Sequence, residues 1–223
     1  MTIDISDELN KDILRERFTK YTVKAFRMLP DMDKPRILDI GCGTGSPTME
    51  LARLSDGQII GLDIDQLALD KLNKKIEQAG LSDRVKTVKR SMFEMDFPEE
   101  HFDIIWSEGA IARMGFTRGL TEWGRFLKIN RCLVIHDEIN SIKTKLEQIS
   151  ECGYGLLGHF TVPVEVWVTE YYQPLEKRIS QLRAKYSDNP DLIRVLNQEK
   201  VEIEKVKKNP ESYRSVFFLM QKK

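Results

Sequence analysis

Residues 36–45 read Arg-Ile-Leu-Asp-Ile-Gly-Cys-Gly-Thr-Gly. A short apolar run of β type carries an acidic residue, Asp39. Three glycines follow at every second position, Gly41, Gly43 and Gly45, and Ser46-Pro47 then opens a helical pattern. Backbone approaches a ligand most closely where side chains are absent. The free N–H groups and dipole of a helix start attract an anion. A strand that runs through a glycine turn into a helix is therefore read as a nucleotide-cofactor loop. The dinucleotide fingerprint is G-x-G-x-x-G; here the pattern is G-x-G-x-G, and Ser46 stands where the third dinucleotide glycine belongs.

Working outward, the chain alternates strand and helix patterns. Residues 6–29 read as helix in two pieces, ending at Leu29-Pro30. The first strand is 36–40. A helix follows, with Ser46 as N-cap and Pro47 at the first helical position. The second strand is 58–63. The next helix has Asp65 as cap, Leu69, Leu72, Ile76 and Ala79 on one face, and Gly80 as its stop. Strands follow at 85–88, 102–106 and 132–136, with helices at 119–127 and 141–152. Phe160-Thr-Val-Pro-Val reads as a sixth strand and 215–220 as the last. This order predicts an α/β, doubly wound, mainly parallel sheet with helices on both faces. Ligands of such sheets sit beyond the carboxyl ends of the strands, which brings together 41–46, 63–65, 107–113 and 136–140. About fifty residues with helical spacing separate the last two strands, far more than a hairpin needs. The expected organisation is a domain of residues 1–162 plus 214–223, with 163–213 as a helical insertion, either a lid that helps bind substrate or a brace.

The run at 36–47 together with Asp63 resembles motif I and the following acidic position of the class I S-adenosylmethionine-dependent methyltransferases. The resemblance covers about residues 35–140, and the closing strand also fits. It implies a Rossmann-like seven-stranded sheet whose last strand is antiparallel and lies between the fifth and sixth. It implies S-adenosyl-L-methionine as cofactor and S-adenosyl-L-homocysteine as product. Gly41, Gly43 and Gly45 would let the backbone pass the methionine and ribose part. Asp39 would orient the loop and help bind the amino group, Asp63 would accept from the ribose hydroxyls, and Ile64 would cover the adenine. Many members carry Gly-Asp-Ala after the third strand, whereas this chain has Arg90-Ser91-Met92. Ser91 and the Met92 N–H are the candidates for adenine contact there, and Ser107 completes the cofactor set. Tyr21 and Thr22 would close over the cofactor.

Methyl transfer from a sulfonium is an in-line displacement with an activated leaving group. Alignment alone can contribute about 7–11 kcal/mol, so no triad is required. A protonated nucleophile still needs a base. The candidates are Glu108, which could instead anchor a cationic substrate or hydrogen-bond its own loop, and His136, which could instead be structural. One of His136 and Glu138 should point inward, because neighbours on a strand alternate faces. Tyr21, Arg113, Glu138, Trp167 and Tyr171 are the candidate substrate contacts. Trp167 and Tyr171 share a helix face, either as core packing or as an aromatic wall for an amine. Ser107-Glu108-Gly109-Ala110 stands where nucleic-acid adenine methyltransferases carry an Asp/Asn-Pro-Pro-aromatic motif, which argues against base methylation.

The 223 residues suffice for one sizeable core. Lys+Arg and Asp+Glu balance at 35 each, so bulk charge names no partner. Residues 171–223 hold 12 Lys/Arg against 7 Asp/Glu, read as a solvated helical face and not a nucleic-acid surface. Cys42, Cys132 and Cys152 lack metal or C-x-x-C spacing and read as reduced thiols of a cytoplasmic protein. No metal site is expected, because His136 and Glu138 have no second ligand pair. No run is long enough to span a membrane, and Met1–Asn10 lacks a signal-peptide layout. The reading is a methyltransferase acting on a small molecule at N or O. Its alternatives are a protein or RNA methyltransferase, an NAD-linked oxidoreductase, which the glycine spacing disfavours, and a non-catalytic cofactor-binding module. Oligomeric state is not legible.

Overall fold

The structure, a computed structural model, describes residues 5–139 and 141–223. Met1–Asp4, part of the acidic start of the chain, and Asn140, at the end of the expected 136–140 rim segment, lie outside the described residues. Two compact units are present. One comprises the chain up to Phe18 together with Val162–Ser215; the other comprises Thr19–Thr161 and Val216–Lys223.

The larger unit is built on a seven-stranded sheet in the order β3-β2-β1-β4-β5-β7-β6. Its strands are β1 (Arg36–Ile40), β2 (Gln58–Asp63), β3 (Val85–Lys89), β4 (Phe102–Glu108), β5 (Leu127–Glu138), β6 (Tyr154–Val162) and β7 (Ser215–Lys222). Strands β3, β2, β1, β4 and β5 pair in parallel. β7 runs antiparallel, between β5 and β6. Its end lies beside the starts of both neighbours: Lys223 N donates to Gly153 O at 3.0 Å and Gln221 Nε2 to Asn130 O at 3.0 Å. The central strands are apolar on both faces, as a sheet covered on both sides requires. Ile37, Leu38, Ile40, Ile104, Ile105 and Trp106 are all buried.

The helices of this unit are α3 (Thr19–Phe26), α4 (Ser46–Leu54), α5 (Gln66–Gln78), α6 (Phe116–Gly124) and α7 (Ile142–Glu151). α5 forms as its sequence dictates. Asp65 caps it, accepting from Leu67 N and Ala68 N, and Leu69, Leu72 and Ile76 are buried. Gly80 follows at φ 66. α4 corrects the expected cap. Ser46 is already helical, and the cap is Gly45 at φ 88 with no side-chain bond. The turn is closed by backbone instead, through Gly45 N to Cys42 O at 2.9 Å.

Two strands are longer than their apolar runs suggested. β5 begins at Leu127 rather than 132, because Asn130, at φ 59, absorbs an irregularity that coincides with a register shift against β4. β6 begins at Tyr154 rather than 160, so its glycine-bearing first half is strand as well. α6 accordingly ends at Gly124 rather than 127.

The smaller unit contains α1 (Ile5–Leu9), α2 (Lys11–Glu16), α8 (Val164–Val166), a π-helical turn at Trp167–Tyr172, α9 (Gln173–Lys185) and α10 (Pro190–Lys208). The N-terminal segment breaks into three helices, not two, since Asn10 at φ 53 interrupts it and α3 starts only at Thr19. α1 and α2 pack within the helical unit. Glu8 accepts from Arg178, Lys185 and Tyr186, and Lys11 pairs with Glu199. Those bonds, led by that from Lys185, hold the Glu8 carboxyl below its ordinary value. Phe18 stacks on Trp167 with ring centroids 4.2 Å apart. Among the described residues no helix is long and apolar enough to cross a membrane.

Candidate functional site

The ends of β1, β2 and β4 place three carboxylates around the glycine turn. Asp39, on β1, is 1% exposed, and its Oδ2 accepts from Thr48 Oγ1 on α4 at 2.6 Å. Asp63 closes β2. Its Oδ2 accepts the Gly43 N–H at 2.8 Å and its Oδ1 the Asp65 N–H at 3.0 Å. Glu108 ends β4, and its Oε1 accepts from both Thr22 Oγ1 and Trp106 Nε1 at 2.8 Å. Parallel register explains this convergence. Asp39 is level with Trp106 on one side and Gly61 on the other, so residues just beyond those positions share one rim.

The carboxylates act on one another. Burial, opposed by the Thr48 bond, and then the charges of Glu108 and Asp63 push Asp39 up to about 7. The Cys42 thiol is pushed up by burial and by Asp39 and Asp63. It is neutral, buried and packed against Gly61 and Leu72, so it acts as a small apolar side chain.

The three glycines have different jobs. All have positive φ. A Cβ on Gly41 would stand 2.5 Å from Ala110 Cβ, and one on Gly45 2.1 Å from Leu72 Cδ1. Those two are glycines because the loop packs against its own protein. A Cβ on Gly43 would meet nothing within 4 Å, so Gly43 is the position where backbone faces open space. Beside it, Ile64 is 66% exposed directly after Asp63. An apolar side chain next to a carboxylate, over a turn with bare backbone, suits a flat base with a hydroxylated sugar. Ser46 Oγ is buried with no hydrogen-bond partner among the described residues, a further polar atom for a ligand to satisfy.

The other expected cofactor contacts are more local. Ser107 is fully buried and donates to Ile40 O at 3.0 Å, tying β4 to the end of β1. Ser91 Oγ accepts the Phe93 N–H at 3.2 Å, which shapes the loop after β3, and Met92 packs against the main core.

Beyond Glu108 the rim changes character. His136 stands level with Glu108 across the β4–β5 pair, and Gly109 N donates to His136 O at 2.9 Å. The His136 ring stacks on Phe217, centroids 4.3 Å apart. Phe217 stacks on Phe160 at 5.0 Å, and Phe160 on Tyr21 at 6.5 Å. Lys24 Nζ lies 4.1 Å from the Phe160 ring centroid. The strands β2, β1 and β4 thus carry carboxylates, while β5, β7 and β6 carry rings. Of the two candidates on β5, His136 is buried and Glu138 is exposed. Asp137 is buried and paired with Lys145 at 2.7 Å. Arg113 lies exposed on a short turn after Gly109.

Trp167 and Tyr171 are in the helical unit. Their four-residue spacing falls on a π-helical turn, with ring centroids 5.9 Å apart in an edge arrangement. Tyr171 is buried, and Trp167 Nε1 donates to Ser215 Oγ at 3.0 Å. Among the described residues no group of His, Cys, Asp and Glu is arranged to hold a metal. Thr48, Trp106, Phe160 and Phe217 went unnoticed in the sequence. Thr48 alone carried a signal, as a hydroxyl in the first turn of the helix that leaves the loop.

Residues 37–130 match the family described as "Methyltransferase domain". The 27-O-demethylrifamycin SV methyltransferase of Amycolatopsis mediterranei is 31% identical over 101 residues, which is 45% of this chain and 37% of that protein. The chain thus spans well under half the length of that curated relative. Two solved structures share the fold. An S-adenosylmethionine-dependent methyltransferase from Thiobacillus denitrificans, in complex with S-adenosyl-L-homocysteine, has a TM-score of 0.77 at 16% identity, covering 92% of this chain and 91% of its own. The [4+2]-cyclase SpnF has a TM-score of 0.77 at 18% identity, covering 91% and 80%. Residues 37–130 are thus similar to a methyltransferase domain, and the fold is one that methyltransferase structures share.

Proposed function

We propose that this chain transfers a methyl group from S-adenosylmethionine to a small molecule, at nitrogen or oxygen. The observation that carries this reading is the glycine turn itself. Gly43 faces open space, Asp63 holds it in place, Ile64 is exposed beside it, and three carboxylates surround it. This is a cradle for a cationic adenosine derivative.

When bound, the cofactor supplies a methyl group already activated by a sulfonium and leaves as S-adenosyl-L-homocysteine. The protein's own work is positioning. Asp63 takes the ribose hydroxyls while it holds the Gly43 N–H. Ile64 covers the base, with Ser91 and the Met92 N–H at its edge. Asp39 orients the turn through Thr48. Glu108 accepts from Thr22 and Trp106 on one oxygen, which fixes the carboxylate in place to anchor a cation or accept a proton. His136, stacked on Phe217, is the second candidate base. The ring-bearing half of the rim, Tyr21 included, forms the acceptor side. Glu138 and Arg113 are its exposed polar contacts.

An RNA or protein acceptor has less support, because several basic side chains of residues 171–223 are engaged in ion pairs. Arg178 and Lys185 bond to Glu8, Lys207 to Glu176 and Arg214 to Glu211. We place the protein in the cytoplasm on its three free cysteines.

Calorimetry with S-adenosylmethionine and with NAD tests the donor. Tight NAD binding without S-adenosylmethionine binding sinks the proposal. Transfer of labelled methyl from the donor into a metabolite extract identifies the acceptor. Donor binding with no transfer to any amine, hydroxyl or thiol favours a non-catalytic module, and labelling confined to RNA or protein overturns the small-molecule reading.

A further inference from the structure

Asp39 is buried beneath the glycine turn with a neutral hydroxyl as its side-chain partner, Thr48 Oγ1 at 2.6 Å. The charged groups that act on it from the flanking strands are both carboxylates, Asp63 on β2 and Glu108 on β4. Among the described residues, α4 brings the Thr48 hydroxyl to it and the turn the neutral Cys42 thiol. A buried carboxylate among carboxylates is a poor place for a third negative charge and a good place for a positive one.

We propose that Asp39 senses the sulfonium charge of the donor: seating the sulfonium donor at this turn expels more proton from Asp39 than seating the thioether product, which shares the amino group but lacks the sulfonium charge. The inference rests on the donor site proposed above. It adds that the preference for fresh donor over spent product grows with pH.

The titration range supports the geometry. Burial, opposed by Thr48, and then the two neighbouring carboxylates bring Asp39 to about 7, so it is about half protonated at neutral pH. A positive charge nearby favours the ionised form and lowers the pKa of the bound state. A lowering of about one unit releases about 0.4 proton at pH 7. By linkage it raises the affinity for the cation about fivefold between pH 6 and 8, relative to a ligand that leaves Asp39 unmoved.

The test counts protons rather than turnovers. Calorimetric titration of the full chain at pH 7, in two buffers of different ionisation heat, gives the number released on binding S-adenosylmethionine and S-adenosylhomocysteine. The expected result is a release larger by about 0.4 proton for the sulfonium, with the difference abolished in Asp39→Asn. The asparagine variant also corrects for protons gained or lost by the ligand's amino group. Thr48→Val, which removes the donor that favours the anion, should move the pH of maximal release upward while retaining the carboxylate. Equal release with both ligands, or a difference that survives Asp39→Asn, overturns the inference. Failure of the unmodified chain to bind either ligand overturns the donor site itself, and this inference with it.

Discussion

The Asp63 carboxylate accepts the Gly43 N–H at 2.8 Å, joining the end of β2 to the middle of the glycine turn. The one glycine of this turn that faces open space is thus held by the residue proposed to grip the ribose. Replacing Asp63 by Ala should weaken S-adenosylmethionine binding by about 1–3 kcal/mol, through loss of charge-assisted hydrogen bonds and of the turn's anchor. Calorimetry checks this, and an unchanged affinity refutes the assignment.

Alanine at Gly45 and at Gly43 should separate packing from binding. At Gly45 the new Cβ collides with Leu72, so overpacking and positive φ together should cost about 2–4 kcal/mol of stability. At Gly43 only the left-handed backbone is strained, at about 1–2 kcal/mol, but the methyl group projects into the donor's space. Thermal melts should rank Gly45→Ala well below Gly43→Ala, while titration should show donor binding lost in Gly43→Ala.

Asp39 ties stability to pH. Its folded pKa is raised from 3.8 to about 7, so the native state holds the proton more tightly than the unfolded chain. The stabilisation is complete below about pH 4 and is lost as pH rises through about 7. Asp39→Asn should therefore gain on the unmodified protein across that window, by roughly 2–4 kcal/mol at pH 8. Denaturant unfolding at pH 5 and pH 8 measures it; a gain independent of pH refutes the linkage.

Thr22 and Trp106 converge on Glu108 Oε1. Thr22→Val removes one donor at nearly constant volume and should cost about 1 kcal/mol of stability. If Glu108 serves the acceptor, the same change should raise KM for the acceptor, once identified, or shift the pH profile, while donor affinity holds. Loss of donor binding alone would move Glu108 to the cofactor side.

Lys145 and Asp137 form a pair at 2.7 Å in which both side chains are largely buried. Lys145→Met strands a buried carboxylate and should destabilise by about 3–5 kcal/mol. Urea titration at neutral pH reads this directly. A loss below about 1 kcal/mol would mean that water reaches Asp137.

The local sequence fixed how each element would begin and end wherever the deciding interaction was close by. Asp65 caps α5 and Gly80 follows it because both act on backbone within a few residues. The alternation of strands and helices and Asp63 at the end of β2 were legible in the sequence pattern, while the place of the closing antiparallel strand was implied by the resemblance that the glycine turn carries. What depended on distant partners was not legible. Ser46 was read as a cap, but a backbone bond between Cys42 and Gly45 closes the turn instead. The three glycines looked alike, and only the positions of Ala110 and Leu72 separate the two that serve packing from the one that faces open space. Thr22 meets Glu108 across 86 residues and His136 meets Phe217 through strand order alone. Backbone geometry is set by neighbours in the chain, and charge and ring contacts by neighbours in space. The sequence by itself therefore determined the glycine loop, and the tertiary structure decided which residues surround it.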